Sequence, residues 1–396
     1  MAATVDRIET VQADVSMLDM QHTGPGTLAG RYLRMFWHPI DVARYVSAGR
    51  AKPIRVMSEA FTLYRGESGA PHLVAFRCAH RGTQLSTGWV EGDDLRCFYH
   101  GWKYDGSGQC IEQPAEPEPF CNRIKIRGYP TEEYLGLIFA YLGEGEPPSF
   151  PRFPDFEQGR VEANVYLRSC NFYNRLDNDG IHTWFVHRRA GHDFRDWHGR
   201  IPRAEWTEDE WGLVNRSGRP EARQVTHRGM PTLTLRKQAP AETNSPRDEN
   251  SIAWQVPVDD ESHLAFQVDV TLSDEEPPRP TDAANWAVPD ELAEEILSGS
   301  RGREYTDFYR TDILKPVGAG AIVELDDGRT TDMVKVQDCV SQSGQGRIAD
   351  RGAEHLGHTD GGVILYRKIW ERELRALADG RPLKQWHRPE SHISGQ

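Results

Sequence analysis

Four side chains able to bind metal fall into two short groups, Cys78-Ala79-His80 and, after 16 intervening residues, Cys97-Phe98-Tyr99-His100. Each group offers one thiolate and one imidazole from a single stretch of chain. In a histidine-ligated two-iron, two-sulfur cluster the thiolates take one iron and the imidazoles the other, so each loop must reach both metals. A cysteine and a histidine one or two residues apart meet that demand. A structural zinc site is the competing use of the same four side chains, but it usually pairs cysteine with cysteine and histidine with histidine along the chain. Alternation within each group favours the iron cluster. Gly82 and Gly101 follow the ligands, where a tight loop needs positive φ and where N–H groups can approach bridging sulfides. Trp102 stands where it would shield one side.

A second constellation lies downstream, in the stretch NFYNRLDNDGIHTWFVH from Asn171 to His187. Taken singly, a histidine among aromatics is more often a satisfied core residue. Two histidines with a more distant carboxylate, however, form the facial triad that binds iron(II) and leaves adjacent positions open. Asp179 and His182 are three apart and share a helix face. His182 and His187 are five apart, which on an ideal helix turns them by about 140°, too far for one metal. A shared metal therefore predicts a distorted or interrupted helix between them, such as a π-bulge. The third ligand is open: Glu324, Asp326, Asp327, Asp332, Asp338, Asp350, Glu354 and Asp360 all follow, and spacing does not choose among them. Asp326 and Asp327 read as turn residues before Gly328, and Asp350 with Arg351 as a structural ion pair.

The elements that must hold these groups are partly legible. After a polar stretch to Gly26, Arg31 to Ile40 is the first packed segment. From Ile54 to Gly145 short apolar runs alternate with turn residues, which reads as a small antiparallel β domain. Pro147, Pro148, Pro151 and Pro154 remove backbone donors and hold the chain extended, so the domain boundary is placed there. The expected organisation is an N-terminal segment over 1–30, a cluster domain over 31–148 and a catalytic domain over 149–396. In the last, Asn174 to His187 reads as a helix, and Glu205 to Val214, Thr232 to Arg236, Ser251 to Val258 and His263 to Thr271 read as strands. Ser217 to Asn250 and Ser273 to Arg303 read as loops, with a short helix over Pro289 to Leu297. Val363 to Leu377 is amphipathic, offering Val363, Ile364, Tyr366, Ile369, Trp370, Leu374 and Leu377 to one stripe.

Composition narrows the function classes. The chain has 396 residues, 47 lysines and arginines against 60 aspartates and glutamates, and a net charge of -13, so nucleic acid and anionic membranes are poor partners. No apolar run approaches the roughly 20 residues that span a bilayer, and Met1 to Asp14 has no signal-peptide core, so a cytoplasmic location is the expectation. The six cysteines are too sparse and uneven for a disulfide framework.

The segments CAHRGTQLS and CFYHGWKYDG resemble the paired motifs of Rieske domains, with Ala79 where that family commonly has proline. Rieske domains of respiratory electron carriers have a membrane anchor and an extra cysteine in each loop; neither is found here. The Asp-x-x-His-x-x-x-x-His spacing beyond a domain boundary resembles the α subunits of Rieske non-haem iron oxygenases. The segments Val336-Gln-Asp338-Cys-Val-Ser-Gln-Ser-Gly and Ile348 to Gly357 are similar to the phthalate dioxygenase-like branch. This resemblance implies an α+β fold: an all-β Rieske domain and a helix-grip (START-like) catalytic domain, an antiparallel sheet curved around a long helix. It implies Cys78, His80, Cys97 and His100 as 2Fe-2S ligands, and His182, His187 and Asp338 as ligands of a mononuclear Fe(II). Asp179 becomes the catalytic bridge from a cluster histidine of one subunit, His100, to an iron ligand of the next. Asn171 is matched as a donor beside the iron, with a helix cap as its alternative use.

The same resemblance implies a terminal oxygenase that takes O2 and electrons from an NAD(P)H-dependent flavin/iron-sulfur reductase, with or without a ferredoxin. It would dioxygenate or monooxygenate an aromatic substrate, with or without a carboxylate, in a head-to-tail homotrimer. O- or N-demethylation, a soluble Rieske electron carrier and a zinc-stabilised binding module are the alternatives. Substrate choice is expected within Ser217 to Arg303, where Arg219, Arg223, Arg228 or Arg236 could meet a carboxylate.

Overall fold

The computed structural model describes residues 19–157, 159–178, 186, 201, 203–219, 222–238, 250–271, 283–300, 322–325 and 328–388. A short helix α1 (Leu28–Leu33) opens the described chain, capped by Thr27, whose hydroxyl accepts from Gly30 N–H. Eleven short strands follow: β1 (Trp37–Val42), β2 (Arg50–Val56), β3 (Glu59–Arg65), β4 (Pro71–Ala75), β5 (Trp89–Glu91), β6 (Asp94–Arg96), β7 (Lys103–Tyr104), β8 (Cys110–Glu112), β9 (Gly128–Tyr129), β10 (Thr131–Tyr134) and β11 (Leu137–Tyr141). They form three antiparallel sheets, ordered β1-β11-β10, β2-β3-β4-β9 and β5-β6-β7-β8. This is the small β domain that the alternating apolar runs predict.

The connector after β11 has no regular element until a single 3-10 turn at Pro154–Phe156, as its prolines require. It is nevertheless bolted down, because Phe153 packs edge-on against Trp254 at 6.0 Å. Beyond it β12 (Arg160–Arg168) leads to a five-residue helix α2 (Phe172–Leu176). Strands β13 (Arg203–Glu208), β14 (Gly212–Arg219), β15 (Ala222–Gly229), β16 (Leu233–Gln238), β17 (Asn250–Pro257) and β18 (His263–Thr271) complete a seven-stranded antiparallel sheet, ordered β12-β18-β17-β16-β15-β14-β13. Helix α3 (Ala283–Ser298), the hairpin β19 (Ile322–Glu324) and β20 (Thr330–Asp332), and helices α4 (Met333–Ser343) and α5 (Gly361–Ala378) finish the described chain. The α+β expectation, a β domain followed by a large antiparallel sheet with a long C-terminal helix, is met.

Several expected elements differ. Glu205 to Val214 is a hairpin, not one strand, because Asp209 Oδ1 accepts from Trp211 N–H and Gly212 N–H and turns the chain. Much of Ser217 to Asn250 is β15 and β16 rather than loop: its polar and basic residues alternate across a sheet that a composition reading takes for solvent. The helix around Pro289 is 16 residues long, with the proline in its interior. The stripe on α5 holds, but Leu365 joins the core in place of Ile364.

One hydrophobic cluster runs through both halves: Tyr32 of α1 meets Trp370 of α5 at 5.5 Å, and Phe139 of β11 meets Trp254 of β17 at 5.4 Å. The N-terminal stretch thus packs on the C-terminal helix. The β2–β3 turn adds polar ties. Met57 and Ser58 sit at φ 50 and 64 without being glycines, and their N–H groups donate to Pro257 O and Val258 O at 2.8 Å. A left-handed pair of this kind costs about 1–2 kcal/mol per residue, offset here by satisfying two carbonyls at the end of β17.

Candidate metal centres

The two cysteine–histidine loops close in the same way. Cys78 N–H donates to Thr83 O (2.9 Å) and Gly82 N–H returns to Cys78 O (2.9 Å). Cys97 N–H donates to Trp102 O (2.8 Å) and Gly101 N–H returns to Cys97 O (3.1 Å). The returning glycines lie at φ +73 and +75, the left-handed conformation expected of them. Matched closure brings like donors together: the Cys97 thiol lies within hydrogen-bond reach of the Cys78 sulfur, and the His80 and His100 rings stand 4.5 Å apart. The donors therefore form a sulfur pair and an imidazole pair, as a two-iron cluster needs, rather than a tetrahedron about one point. Among the described residues no three His, Cys, Asp or Glu side chains form a group that could hold a single metal ion. His80 Nδ1 is buried with no hydrogen-bond partner, a lone pair left for a metal. These residues fit the 2Fe-2S group.

The surroundings tune the pair. The hydrogen bond from Cys97 and, after it, that from Tyr104 hold the Cys78 thiol down at about 6 against the upward push of burial. Cys97 is pushed up by the same sulfur contact and by burial. Tyr104 Oη lies 3.2 Å from Cys78 Sγ and also accepts Ala79 N–H at 3.2 Å. Sequence reading passed over Tyr104, although its position in β7 beside Trp102 was a usable signal. Trp102, the residue expected to shield one side, stacks its ring on His80 at 4.7 Å and 7°. Around the imidazoles the surface is aromatic, with Trp89, Phe98 and Tyr99 each more than half exposed.

The second constellation is only partly in view. Asp179, His182 and His187 lie outside the described residues, as does the interruption expected between the histidines; Asp326 and Asp327 lie outside as well. The run-in is described, and the helix expected from Asn174 onward stops at Leu176, with Asp177 as its C-cap. Asp177 is drawn away by two guanidiniums: Arg351 Nη1 at 2.9 Å and Arg367 Nε at 2.9 Å from its Oδ2. Burial pushes its carboxyl up, against the pull of those two arginines. Arg351 thus pairs with Asp177 and Glu354, not with Asp350, whose Oδ1 instead caps a 3-10 turn at Gly352 N–H. That corrects the expected local ion pair; the buried, distant acid outcompetes the exposed neighbour.

Of the remaining carboxylates, Asp332 caps α4 through Val334 N–H and Asp360 accepts Gly357 N–H. Asp338, on α4, faces α2 and lies 3.7 Å from Arg175 Nη1, with its side chain 14% exposed. It therefore sits across from the helix that leads into Asp179. Asn171 takes the second of its two expected uses: its Oδ1 accepts Tyr173 N–H as the α2 cap, and its amide donates to Gln21 O and Asp260 O. Both amide hydrogens are used on backbone carbonyls, so no donor is left for a metal ligand.

Residues 36–130 match the Rieske [2Fe-2S] domain family. The chain is 28% identical over 375 residues, covering 91% of it and 80% of the relative, to the 5,5'-dehydrodivanillate O-demethylase oxygenase subunit of a Sphingobium species. It is 26% identical over 389 residues, 89% of the chain and 83% of the relative, to the phthalate 4,5-dioxygenase oxygenase subunit of Pseudomonas putida. Among solved structures, the Pseudomonas putida CBB5 NdmA QL mutant with theobromine superposes with a TM-score of 0.61 at 21% identity, covering 88% of this chain and 93% of that one. That likeness supports the fold: a Rieske β domain followed by a large sheet wrapped on a C-terminal helix.

Proposed function

We propose that the chain is an oxygenase subunit of the Rieske non-haem iron oxygenases, a reading that its Rieske match and its relatives support, and that it oxygenates an aromatic carboxylate at a mononuclear iron held by His182, His187 and Asp338. The observation that carries this reading is Asp338 on α4, set across from α2 where the chain runs into Asp179. Both relatives described above are named for aromatic carboxylates, which supports the substrate class. Arg228 is the residue we assign to the carboxylate: its guanidinium lies over the Tyr366 ring at 5.8 Å, on the side of the sheet that meets α5. The side chains of Arg219, Arg223 and Arg236 lie outside the described residues.

When bound, the 2Fe-2S group relays single electrons and the mononuclear iron supplies reductive activation of O2. The protein's part is positional. Cys78 and Cys97 would hold one cluster iron and His80 and His100 the other, with Tyr104 beside a ligand sulfur and Trp102 stacked on the His80 ring. Asp179 would accept an imidazole N–H from a cluster histidine of one subunit and from an iron ligand of its neighbour. The exposed aromatic rim of Trp89, Phe98 and Tyr99 supports burying the imidazole face against a second copy, and a head-to-tail homotrimer gives each cluster such a neighbour. Electrons would come from an NAD(P)H-dependent reductase, directly or through a ferredoxin. No helix among the described residues is long and apolar enough to cross a membrane, which accords with the cytoplasmic location we propose.

The test is substrate-dependent NADH oxidation with a surrogate reductase and a panel of aromatic carboxylates with and without methoxyl groups, scored by labelled oxygen in the product and by formaldehyde. Label in a ring hydroxyl supports ring oxygenation. Formaldehyde from a methoxylated substrate favours the O-demethylation reading, which the Sphingobium relative's name supports. Undiminished oxygen insertion by His182→Ala would remove the oxygenase site assigned here.

A further inference from the structure

Two cysteines take no part in the cluster yet lie beside it. Cys110 opens β8, and Cys121 begins the 3-10 turn Cys121–Arg123 after a proline-rich excursion through Pro114, Pro117 and Pro119. The two backbones are pinned together: Cys110 N–H donates to Ile124 O at 3.0 Å. The single amide of Gln109 reaches Cys110 O (3.1 Å), Cys121 O (2.8 Å) and Ile124 O (2.9 Å). Cys121 packs on the small core cluster that contains Cys110, Cys78 and Cys97, and its sulfur is within hydrogen-bond reach of that of Cys110. Cys110 is buried and Cys121 half-buried, so Cys121 is the more accessible residue of the two. From Cys121 the packing runs to the cluster without a gap. Its neighbour Phe120 meets Trp102 edge-on at 5.6 Å, and Trp102 stacks on His80 at 4.7 Å.

We propose that Cys110 and Cys121 are an oxidation site, a dithiol that hydrogen peroxide converts to a disulfide and whose state is passed through Phe120 and Trp102 to the cluster ligand His80. The Cys121 thiolate attacks one peroxide oxygen; an S–O bond forms, the O–O bond breaks, and the departing hydroxide leaves as water with a proton. The Cys110 sulfur then attacks the Cys121 sulfenic acid. The S–S bond forms, the S–O bond breaks, and the second hydroxide leaves as water with the Cys110 proton. Two thiols are oxidised by two electrons and one peroxide is reduced to two waters. On the oxygenase reading proposed above, two electrons delivered to O2 with two protons and no substrate leave hydrogen peroxide, so the oxidant is one that chemistry can generate close by.

The disulfide would tether the Cys110–Cys121 excursion at the position of Phe120, and a shift of that ring against Trp102 changes the packing on His80. Ring orientation and the shell around a ligating imidazole set the potential and spectrum of the metal it holds. The experiment uses the cluster-loaded protein, treated with about one equivalent of hydrogen peroxide, alkylated, and mapped without reductant, with cluster absorbance and midpoint potential recorded in parallel. A peptide pair linked through Cys110 and Cys121, reversed by dithiothreitol, is expected. A midpoint that moves on oxidation and returns on reduction is expected with it. Cys121→Ser, changed at the half-buried position, is expected to keep the cluster and to lose both the link and the shift. Full alkylation of both thiols after peroxide, or oxidation of Cys78 or Cys97 before any link forms, overturns the oxidation site. A link with an unmoved midpoint overturns its coupling to His80.

Discussion

Asp177→Asn tests the packing that delivers the chain into the proposed iron ligands. Asp177, Arg351 and Arg367 have side chains 5%, 2% and 12% exposed, and Glu354 completes the group at 25%. Two guanidiniums and two carboxylates balance. The amide keeps the shape of the acid and removes its charge, leaving two arginines to share Glu354. Stripping one member from a buried ion pair costs about 3–5 kcal/mol, because the partner stays buried and uncompensated. Glu354 still contacts both arginines, Arg351 Nη1 at 3.2 Å, so the lower end, about 3 kcal/mol, is the expected loss. Against a total of about 5–15 kcal/mol that is a large share. Urea denaturation followed by tryptophan fluorescence measures it, and a cycle with Arg351→Met separates pairing from packing. The double variant should be less destabilised than the sum of the singles by about 2 kcal/mol. Because Asp177 stands two residues before Asp179, the variant should also lose non-cluster iron while cluster absorbance stays. A loss below about 1 kcal/mol, or singles that add within about 0.5 kcal/mol, would refute the reasoning.

Two further outcomes follow from buried groups. His38 Nε2–H donates to Leu33 O and His263 Nδ1–H to Cys170 O, both at 2.7 Å, and the other ring nitrogens, His38 Nδ1 and His263 Nε2, are buried without a partner. Burial lowers His38 from 6.5 to about 4 and His263 from 6.5 to about 3. Depressed folded values mean that the stabilisation is complete above pH 6.5 and is lost as pH falls from 6.5 toward 4 and 3, by about 1.4 kcal/mol per unit and per histidine. Denaturation midpoints at pH 7.5 and 5.5 should therefore diverge, and His263→Gln should reduce that slope by one proton; an unchanged slope contradicts the assignment. Tyr104→Phe removes a hydrogen bond to Cys78 Sγ that stabilises the more negative, reduced cluster. A bond worth about 1–1.5 kcal/mol corresponds to roughly 45–65 mV for one electron, so protein-film voltammetry should find the midpoint lowered by that much, and a raised midpoint contradicts the role.

What could be read from the sequence follows the range of the interactions. The cluster loops were legible because each closes on itself: Cys78 bonds Thr83, Cys97 bonds Trp102, and the required glycines stand within the same few residues. The C-terminal helix was legible because one stripe repeats over 18 residues, and the connector because four prolines forbid anything regular. The end of α2 was not, since Asp177 leaves the helix for Arg351 and Arg367, more than 170 residues away. The cap role of Asn171 was legible, but not the use of its amide, which is claimed by Gln21 and Asp260 from two distant segments.

The sheet was misread for a related reason. Composition took the basic stretch after Ser217 for a loop, yet β14 and β15 pair residue by residue from Gly212 opposite Gly229 to Arg219 opposite Ala222. A strand with one face toward a helix and one toward solvent needs apolar residues only at alternate positions. Here both faces are covered in part: by register Leu213 and Arg228 share one face, Val214, His227 and Leu235 the other, and Leu213, Val214 and Leu235 are all buried. Arg228 lies opposite Leu213 in register, on the same face, with its guanidinium over the Tyr366 ring. The carboxylate contact we propose at Arg228 thus sits where a basic residue faces a helix, a placement that composition alone does not give.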